Sequence, residues 1–261
     1  MRTTINSSLE GVEATDAVVV ARGVRLAYGR AVALDTSSFT VPRGKVTAVI
    51  GPDGSGKSTA LHAMAGLLAP RGGSLRVDAA VRYVPQSTAL DEVVPVTVRE
   101  AVTMGRYAGL GLLRRLRHDD RRAVERCLDR LEIADLASRH VTDLSGGQRQ
   151  RVFVAQGLAQ PGDLLLLDEA GAGLDLPSAR CIAEVVDAER RDGRTVVVST
   201  HDLAEAAQAD HVILLAGTVV AEGAPAEVLT TEHLSTAYGA RMVRLDAGGM
   251  VLDEGSHHTH R

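Results

Sequence analysis

The chain has 261 residues, of which 45% are hydrophobic and 24% charged, so it is long enough to bury a substantial core in one large domain or two small ones. With 29 Lys and Arg against 33 Asp and Glu, the formal net charge is −4. This balance does not favour a protein that coats nucleic acid or acidic lipid, and we expect no nucleic-acid partner. Cys127 and Cys181 lack metal-type spacing and fall within helical patterns, which predicts reduced, buried thiols in a cytoplasmic protein.

The first half of the chain predicts several short strands and one helix. Residues 1–16 contain no apolar run of signal-peptide length, and no stretch of the sequence approaches the roughly 20 apolar residues that span a bilayer. We predict that residues 1–16 are flexible. The strands that follow are predicted at AVVVARGVRLAYG and ALDTSSFTV, joined near Gly29, and then at KVTAVI (45–50), SLRV and VRYVPQ, with a helix at KSTALHAMAGLL.

The second half begins with a change of pattern. Strand signals disappear from about Ser87 to Gln160, and helical spacing replaces them, as shown by the apolar face Val124, Cys127, Leu128 and Leu131. Alternation then resumes with DLLLLDEA, a helix near 176–192, TVVVST, a helix at 202–209, HVILLA and TVVAEG. This predicts a parallel βαβ architecture.

These patterns predict one main domain at residues 17–240. Its α/β core is expected at 17–86 and 161–240, with a helical subdomain inserted at 87–160. Residues 241–261 are expected to form a C-terminal tail, which ends in HHTHR. Its histidines His257, His258 and His260 are potential zinc ligands, but they have no neighbouring carboxylate or thiol that would define a site.

A phosphate-binding loop is predicted at GPDGSGKST (51–59), because the pattern G-x-x-x-x-G-K-[ST] follows a strand and opens a helix. Backbone amides of 53–59 can surround a β-phosphate, Lys57 can reach the β- and γ-oxygens, and the Ser58 hydroxyl can bind Mg²⁺. The nucleotide-binding residues predicted in this loop are Gly51, Asp53, Gly54, Ser55, Gly56, Lys57, Ser58 and Thr59.

Polar side chains follow three of the other predicted strands. The apolar run LLLLDEA delivers Asp168 and Glu169 to the carboxyl end of a strand, where α/β sheets bind ligands. We expect Asp168 to hold Mg²⁺ through water and Glu169 to polarise the attacking water. His201 ends VVVSTHD on the same edge, and Gln86 follows VRYVP. Each of these last two would be weak evidence alone.

A second potential anion site lies at LSGGQRQR (144–151). Ser145 is a good N-cap, Gly146 and Gly147 remove side chains that would block an approaching anion, and the helix dipole favours negative charge. A capped helix start without a ligand is the simpler alternative.

Taken in order, these motifs resemble the nucleotide-binding subunits of ABC transporters over nearly the whole chain. The resemblance rests on Tyr28, GPDGSGKST, Gln86, LSGGQ, LLLLDE, GLD (173–175) and STHD. It implies a P-loop NTPase with a RecA-like core, an antiparallel β subdomain and an inserted α-helical subdomain, which uses ATP and Mg²⁺.

The resemblance also assigns roles to individual residues. It implies that Tyr28 stacks on adenine, that Gln86 contacts Mg²⁺ and couples to the membrane partner, and that His201 contacts the γ-phosphate. Asp175 would communicate across a dimer. In this family two subunits pair head to tail, so the segment Ser145, Gly146, Gly147 and Gln148 would close on the ATP of the neighbouring subunit.

Two departures from the family pattern stand out. Ala170 replaces the usual proline after Glu169, and without its fixed φ the loop EAGAGLD should lose more entropy on ordering. We expect looser dimer signalling with the chemistry retained. Gln156 and Gly157 replace a common Arg-Ala pair, and a glycine inside a helix costs roughly 1 kcal/mol relative to alanine.

The transported substrate is indicated by resemblance alone. Residues 93–115 and VLTTEHLSTAYG (228–239) look like the ATPases of bacterial zinc or manganese importers, which implies membrane permease partners, an extracytoplasmic metal-binding protein and a peripheral position on the cytoplasmic face of the cell membrane. Siderophore-type iron importers are the nearest alternative. A soluble ABC-type ATPase acting on nucleic acid or ribosomes and a non-catalytic ATP-binding module remain further alternatives.

Overall fold

The computed structural model describes residues 16–86, 96–107, 116–239, 242–244 and 250–252. The strands are β1 (Ala17–Tyr28), β2 (Ala31–Pro42), β3 (Val46–Ile50), β4 (Gly72–Val77), β5 (Val81–Val84), β6 (Leu164–Asp168), β7 (Thr195–Thr200), β8 (His211–Leu215), β9 (Val219–Gly223), β10 (Met242–Arg244) and β11 (Met250–Leu252). The helices are α1 (Lys57–Met64), α2 (Val98–Tyr107), α3 (His118–Arg130), α4 (Gly146–Ala159), α5 (Leu176–Arg191), α6 (Leu203–Ala207), α7 (Pro225–Val228) and α8 (Thr231–Tyr238).

The central sheet has six strands in the order β5-β6-β7-β3-β8-β9. Its first five strands are parallel, as predicted, whereas β9 runs antiparallel to β8. Every residue of β3, β6, β7 and β8 is buried, which explains why these strands are continuous apolar runs without alternation. Parallel β3, β6 and β7 end at one edge of the sheet, so the segments that follow them meet there.

A second sheet, antiparallel, consists of β2, β1 and β4. The predicted turn near Gly29 joins β1 to β2, and Gly29 has φ 58, a conformation that glycine adopts without strain. The backbone N–H of Thr40 on β2 donates to Glu222 on β9 (2.9 Å). This hydrogen bond connects the antiparallel sheet to the edge of the central one.

The segment predicted to be helical contains α2, α3 and α4, together with short 3₁₀ turns at Ala134–Leu136 and Val141–Asp143. The predicted apolar face of α3 is buried throughout, as the side chains of Val124, Cys127, Leu128 and Leu131 show. Cys127 and Cys181 are both buried and free, as predicted. The α/β class with an antiparallel β subdomain and a helical insertion is therefore confirmed, while the exact subdomain boundaries stay predictions.

Some predicted elements differ from the structure in length. The first helix ends at Met64, earlier than the predicted Leu68, because Ala65 is its C-cap and Gly66 has a φ of 74. The helix predicted at 202–209 is shorter in the structure, where only α6 (Leu203–Ala207) is helical. In the predicted tail, β10 and β11 pair as antiparallel strands. Of the segment 1–16 predicted to be flexible, residues 1–15 lie outside the described residues, and so do the tail histidines.

The unusual Gly157 has a packing explanation. A Cβ atom at Gly157 would lie 2.2 Å from Cγ2 of Val84 on β5. Similarly, a Cβ at Gly105 on α2 would lie 2.1 Å from the carbonyl oxygen of Gln156. Glycine at both positions therefore allows α4 to pack closely against β5 on one side and α2 on the other.

A buried ionic cluster joins the helical segment to the core. The Glu189 carboxylate, on α5, accepts hydrogen bonds from Arg82 on β5, from Arg130 on α3 (2.9 Å) and from Arg194 (2.9 Å). Burial acts to raise the pKa of Glu189, but the Arg82 charge and the hydrogen bonds from Arg82 and Arg130 outweigh it, so the net direction is downward. The carboxylate therefore stays charged and holds three segments together.

Candidate active site

The predicted phosphate loop connects β3 to α1, and its glycines are required by its backbone. Gly51, Gly54 and Gly56 have φ values of 152, 76 and 102, which L side chains rarely adopt. A Cβ at Gly51 would also lie 2.2 Å from the carbonyl oxygen of Leu215, and one at Gly56 would lie 2.7 Å from that of Ala33. Neighbouring backbone on both sides thus fixes the shape of the loop.

Lys57 is the buried positive charge of this loop, with 5% of its side chain exposed. Its Nζ donates to the carbonyl oxygens of Gly51 (3.0 Å) and Pro52 (3.4 Å). It also lies 3.6 Å from Oε1 of Glu169 and 3.9 Å from Oδ1 of Asp53, whose side chain is fully exposed. A buried ammonium needs such partners, and an anionic ligand at the loop would add another.

Asp168 ends β6 and is 2% exposed. Its Oδ1 accepts hydrogen bonds from Ser199 Oγ (2.6 Å) and Ser58 Oγ (3.1 Å), and its Oδ2 accepts one from the Tyr83 hydroxyl (3.3 Å). Burial raises the pKa of Tyr83 above its usual range, and the Asp168 charge raises it further. The phenol therefore stays protonated and acts as a donor.

Glu169 is held in an unusual backbone conformation next to Asp168. Its φ is 47, which is uncommon for a residue with a side chain. The Glu169 N–H donates to Ser199 Oγ (2.9 Å), and Glu169 Oε2 accepts a hydrogen bond from Gln86 Nε2 (2.6 Å). Gln86 and Lys57, predicted from two other motifs, therefore both contact Glu169.

The oxygen donors at this site fit Mg²⁺. The Ser58 hydroxyl lies against the buried Asp168 carboxylate, and hard oxygen ligands of this kind, supplemented by water and phosphate, are those that Mg²⁺ uses. The third predicted ligand, Gln86, donates its side-chain hydrogen bond to Glu169, the residue next to Asp168 in the chain. Within the described residues, no group of three or more His, Cys, Asp and Glu side chains could hold a metal ion.

Tyr28 lies at the end of β1 with 49% of its surface exposed. Its hydroxyl and Nδ1 of His62 on α1 are 2.6 Å apart and share a hydrogen bond, with the two rings edge to face. The tyrosine is thus anchored at its hydroxyl while its ring remains accessible. His201 is exposed directly after β7, on the sheet edge where Asp168 lies.

The start of α4 forms a complete capping box. Ser145 Oγ accepts a hydrogen bond from the Gln148 N–H (3.3 Å), and Gln148 Oε1 accepts one from the Ser145 N–H (3.1 Å). Apart from its chain neighbours and the backbone of its own helix, no described residue lies within 4 Å of a Cβ built at Gly146. The backbone at this helix start is therefore accessible, and its role in binding an anion stays a prediction.

Gly147 has a different reason for being glycine. A Cβ there would lie 2.5 Å from Ser178 Oγ and 3.0 Å from Asp175 Oδ1. Asp175 is the N-cap of α5, with its Oδ1 accepting a hydrogen bond from the Ser178 N–H (2.9 Å). Hydrogen bonds from Ser178 lower the pKa of Asp175. We predicted that Gly147 removes a side chain that would block an approaching anion, and the structure shows that α5 of the same chain also needs the space there.

Sequence reasoning missed three contributors to the site: Tyr83, Ser199 and His62. Ser199 gave a signal, since it is a hydroxyl at the end of the apolar strand TVVVST. Tyr83 is a polar-tipped ring in a strand that leads to Gln86. His62 gave no signal, because its partners Tyr28 and Tyr83 are distant in sequence.

The fold and the site define a P-loop ATPase with an inserted helical subdomain. The ABC transporter family model matches residues 34–172, more than half of the chain, and the chain belongs to this family. It binds nucleotide and is an ATPase whose activity is coupled to transport. ATP-binding subunits of transport systems work with membrane permease subunits, which makes the protein membrane-associated. No helix among the described residues is long and apolar enough to cross a membrane.

Three curated relatives are similar over most of the chain. The manganese transport system ATP-binding protein MntA of Synechocystis is 38% identical, covering 83% of this chain and 88% of its own length. The zinc transport system ATP-binding protein TroB of Treponema pallidum is 35% identical, with 88% and 90% covered. The chelated iron transport system membrane protein YfeB of Yersinia pestis is 35% identical, with 85% and 79% covered.

One solved structure has the same fold throughout. It is an ABC transporter assigned to the metal-chelate type, in an inward-facing conformation, with a TM-score of 0.79 and 26% identity. The match covers 91% of this chain and 97% of that chain. The likeness of fold therefore extends over nearly the whole of both chains.

Proposed function

We propose that this chain hydrolyses MgATP in a head-to-tail homodimer and thereby powers import of a divalent transition metal, zinc or manganese, through separate membrane permease subunits. The dimer lies at the cytoplasmic face of the cell membrane as a peripheral component. An extracytoplasmic metal-binding protein delivers the ion to the permease. The observation that carries the proposal is the contact of Glu169 with both Lys57 and Gln86, directly beside the buried Asp168.

In this proposal the groups around Lys57 have separate roles in binding the nucleotide and in hydrolysis. Lys57, Ser58 and the backbone amides of 53–59 bind the phosphates, and Asp168 orients the ligands of Mg²⁺. The ion, when bound, neutralises charge on the β- and γ-phosphates. Glu169 accepts the hydrogen bond of the attacking water and polarises it. His201, on the same sheet edge, contacts the γ-phosphate, and Tyr28 stacks on adenine.

The contact between Gln86 and Glu169 suggests how the permease controls this chemistry. Gln86 Nε2 donates to Glu169 Oε2 at 2.6 Å, so the same carboxylate that polarises water is held by a residue at the border of the helical segment. A movement of that segment changes the position of Gln86 and hence the hydrogen bonding of Glu169. This is the route by which we propose that transport and hydrolysis are coupled.

The dimer is supported by surfaces that the single chain leaves open. Leu176, adjacent to the Asp175 cap, is 86% exposed, which is unusual for a large apolar side chain at a helix start. The accessible α4 start at Ser145 and Gly146 lies on the same face, since Gly147 packs against Asp175. A second copy would cover Leu176 and receive the α4 start at its own bound ATP.

The metal substrate is proposed from the relatives. The relatives named for manganese and zinc transport have 38% and 35% sequence identity to this chain, and each alignment covers more than four-fifths of it. The relative named for chelated iron transport is similarly close, so uptake of an iron chelate is the second candidate. All three substrates are delivered through a permease, and the ATPase chemistry is the same for each.

The test of hydrolysis is Glu169→Gln. The amide keeps the shape of the side chain and cannot act as a base, so turnover should fall by about 10²- to 10⁴-fold while ATP binding persists and the ATP-bound dimer accumulates. Glu184→Gln is the matched control, because Glu184 is an exposed residue of α5. Turnover of the Glu169→Gln protein within about twofold of wild type would contradict the role of Glu169.

The test of the substrate uses the same variant in cells. Cells carrying Glu169→Gln at the chromosomal locus should lose uptake of the transported metal while uptake of other ions stays normal. Isotope uptake with manganese, zinc and a ferric chelate supplied separately distinguishes the candidates. A loss confined to the ferric chelate would replace the divalent-ion proposal with the second candidate, and normal uptake of all three would refute both.

A further inference from the structure

We propose that Tyr83 and His62 form a positioning relay, which connects the Tyr28 side chain to the Asp168 carboxylate. The relay couples the adenine end of the nucleotide site to its Mg²⁺ end. This inference rests on the roles proposed above for Tyr28 and Asp168. Neither Tyr83 nor His62 belongs to any of the sequence motifs described for this chain.

The first link is the hydrogen bond on Asp168 Oδ2. The two serines that bond Asp168, Ser58 and Ser199, both donate to Oδ1. The Tyr83 hydroxyl is the donor to Oδ2, at 3.3 Å. Because the carboxylate is buried, its rotation is set by these donors, and a hydrogen bond to a charged group is stronger than one between neutral groups. Tyr83 therefore fixes the plane of the carboxylate that orients Mg²⁺ ligands.

The second link is the ring of His62. It lies edge to face with Tyr83, with the ring centroids 5.7 Å apart, and edge to face with Tyr28, with the centroids 6.4 Å apart. Its Nδ1 also shares the 2.6 Å hydrogen bond with the Tyr28 hydroxyl. One imidazole on α1 thus contacts both tyrosines. A base that stacks on Tyr28 restricts its ring, and this restriction reaches Tyr83 through His62.

The experiment measures nucleotide binding rather than turnover. The dissociation constant of ATP is determined by equilibrium dialysis with Mg²⁺ and again with EDTA, and the ratio of the two gives the Mg²⁺ enhancement. Tyr83→Phe keeps the ring and removes only the hydroxyl, so the enhancement should fall by about threefold to tenfold while affinity in EDTA and the melting temperature stay near wild type. Tyr107→Phe, which removes the hydroxyl of an exposed tyrosine on α2, is the matched control.

The coupling is tested by a double-mutant cycle. Tyr28→Phe keeps the ring for stacking and removes the bond to His62. It should reduce the Mg²⁺ enhancement by about twofold or more in the wild-type background and should have no further effect when Tyr83→Phe is already present.

Each outcome decides the inference. An enhancement in Tyr83→Phe within about 1.5-fold of wild type would overturn the positioning role of Tyr83. An equal effect of Tyr28→Phe in both backgrounds would overturn the link through His62, because independent sites give multiplicative effects. Wild-type protein with no Mg²⁺ enhancement would contradict the proposed roles of Ser58 and Asp168, and with them this relay. The Glu169→Gln turnover assay does not depend on the relay, so the two failures can be separated.

Discussion

The stability of this protein should depend on pH through Glu222, which is half-buried where the antiparallel sheet meets the central one. Burial raises the pKa of Glu222 from 4.5 to about 7, although the hydrogen bond from the Thr40 N–H acts in the opposite direction. The folded state therefore binds a proton more tightly than the unfolded state. The stabilisation is fully present below about pH 4.5 and is lost as the pH rises through 7.

The size of the change in stability follows from the pKa shift of Glu222. A difference of about 2.5 pKa units corresponds to about 3.4 kcal/mol, and partial solvent access to Glu222 reduces this to about 2–3 kcal/mol. Glu222→Gln is uncharged at every pH, and its amide oxygen can still accept the Thr40 hydrogen bond. The variant should match wild type near pH 5 and exceed it by about 2–3 kcal/mol at pH 8, or about 4–10 °C in melting temperature.

The assay is a series of thermal or urea melts of both proteins from pH 5 to pH 8. His211 on β8 is buried, and burial lowers its pKa, so the stability that it contributes rises with pH instead of falling. That contribution is common to both proteins and cancels in their difference. Glu184→Gln, which changes an exposed carboxylate, should give a curve parallel to wild type. A difference between Glu222→Gln and wild type that stays constant within about 0.5 kcal/mol across this range would refute the reasoning.

Two further predictions concern α4. Gly157→Ala should gain about 1 kcal/mol of helix propensity but lose up to about 3 kcal/mol through the clash with Val84. Melts should therefore show a free energy of unfolding lower by about 1–2 kcal/mol, and the added change Val84→Ala should reverse this loss. A stabilised single variant would show that β5 moves easily to accommodate the methyl group. Ser145→Arg should leave ATP binding by the monomer intact, as measured by nucleotide binding. It should abolish dimer closure, measured by sedimentation, and hydrolysis, measured by phosphate release. Hydrolysis by the monomer at the wild-type rate would contradict the dimer proposal.

The α/β core could be predicted from sequence because its signals are local. Continuous apolar strands such as VTAVI and LLLLD indicated both the strand type and the edge at which their polar successors meet. The phosphate loop was equally predictable, since Gly51 and Gly56 lie at backbone positions that exclude other residues. Sequence patterns that encode a backbone conformation are readable without a structure.

The features that the sequence did not reveal depend on contacts between distant segments. Tyr83 and Asp168 are far apart in the chain and meet because β5 and β6 are adjacent and parallel. Gly157 appeared to be a poor helix residue until Val84 was found against it. The left-handed φ of Glu169 could not be predicted either, because the tertiary contacts that maintain it are with Ser199, Gln86 and Lys57.

The close approach at Gly147 has a consequence for how the dimer can respond to ATP. Since no side chain separates the start of α4 from Ser178 and Asp175, the two helix starts must shift as one body. In the proposed dimer, the segment 145–148 would then move together with Asp175, the residue expected to face the second subunit. Hydrolysis of one ATP in the proposed dimer would therefore displace residues at the other ATP, because the two helix starts move together. A larger residue at 147 would be tolerated only together with a smaller one at 178.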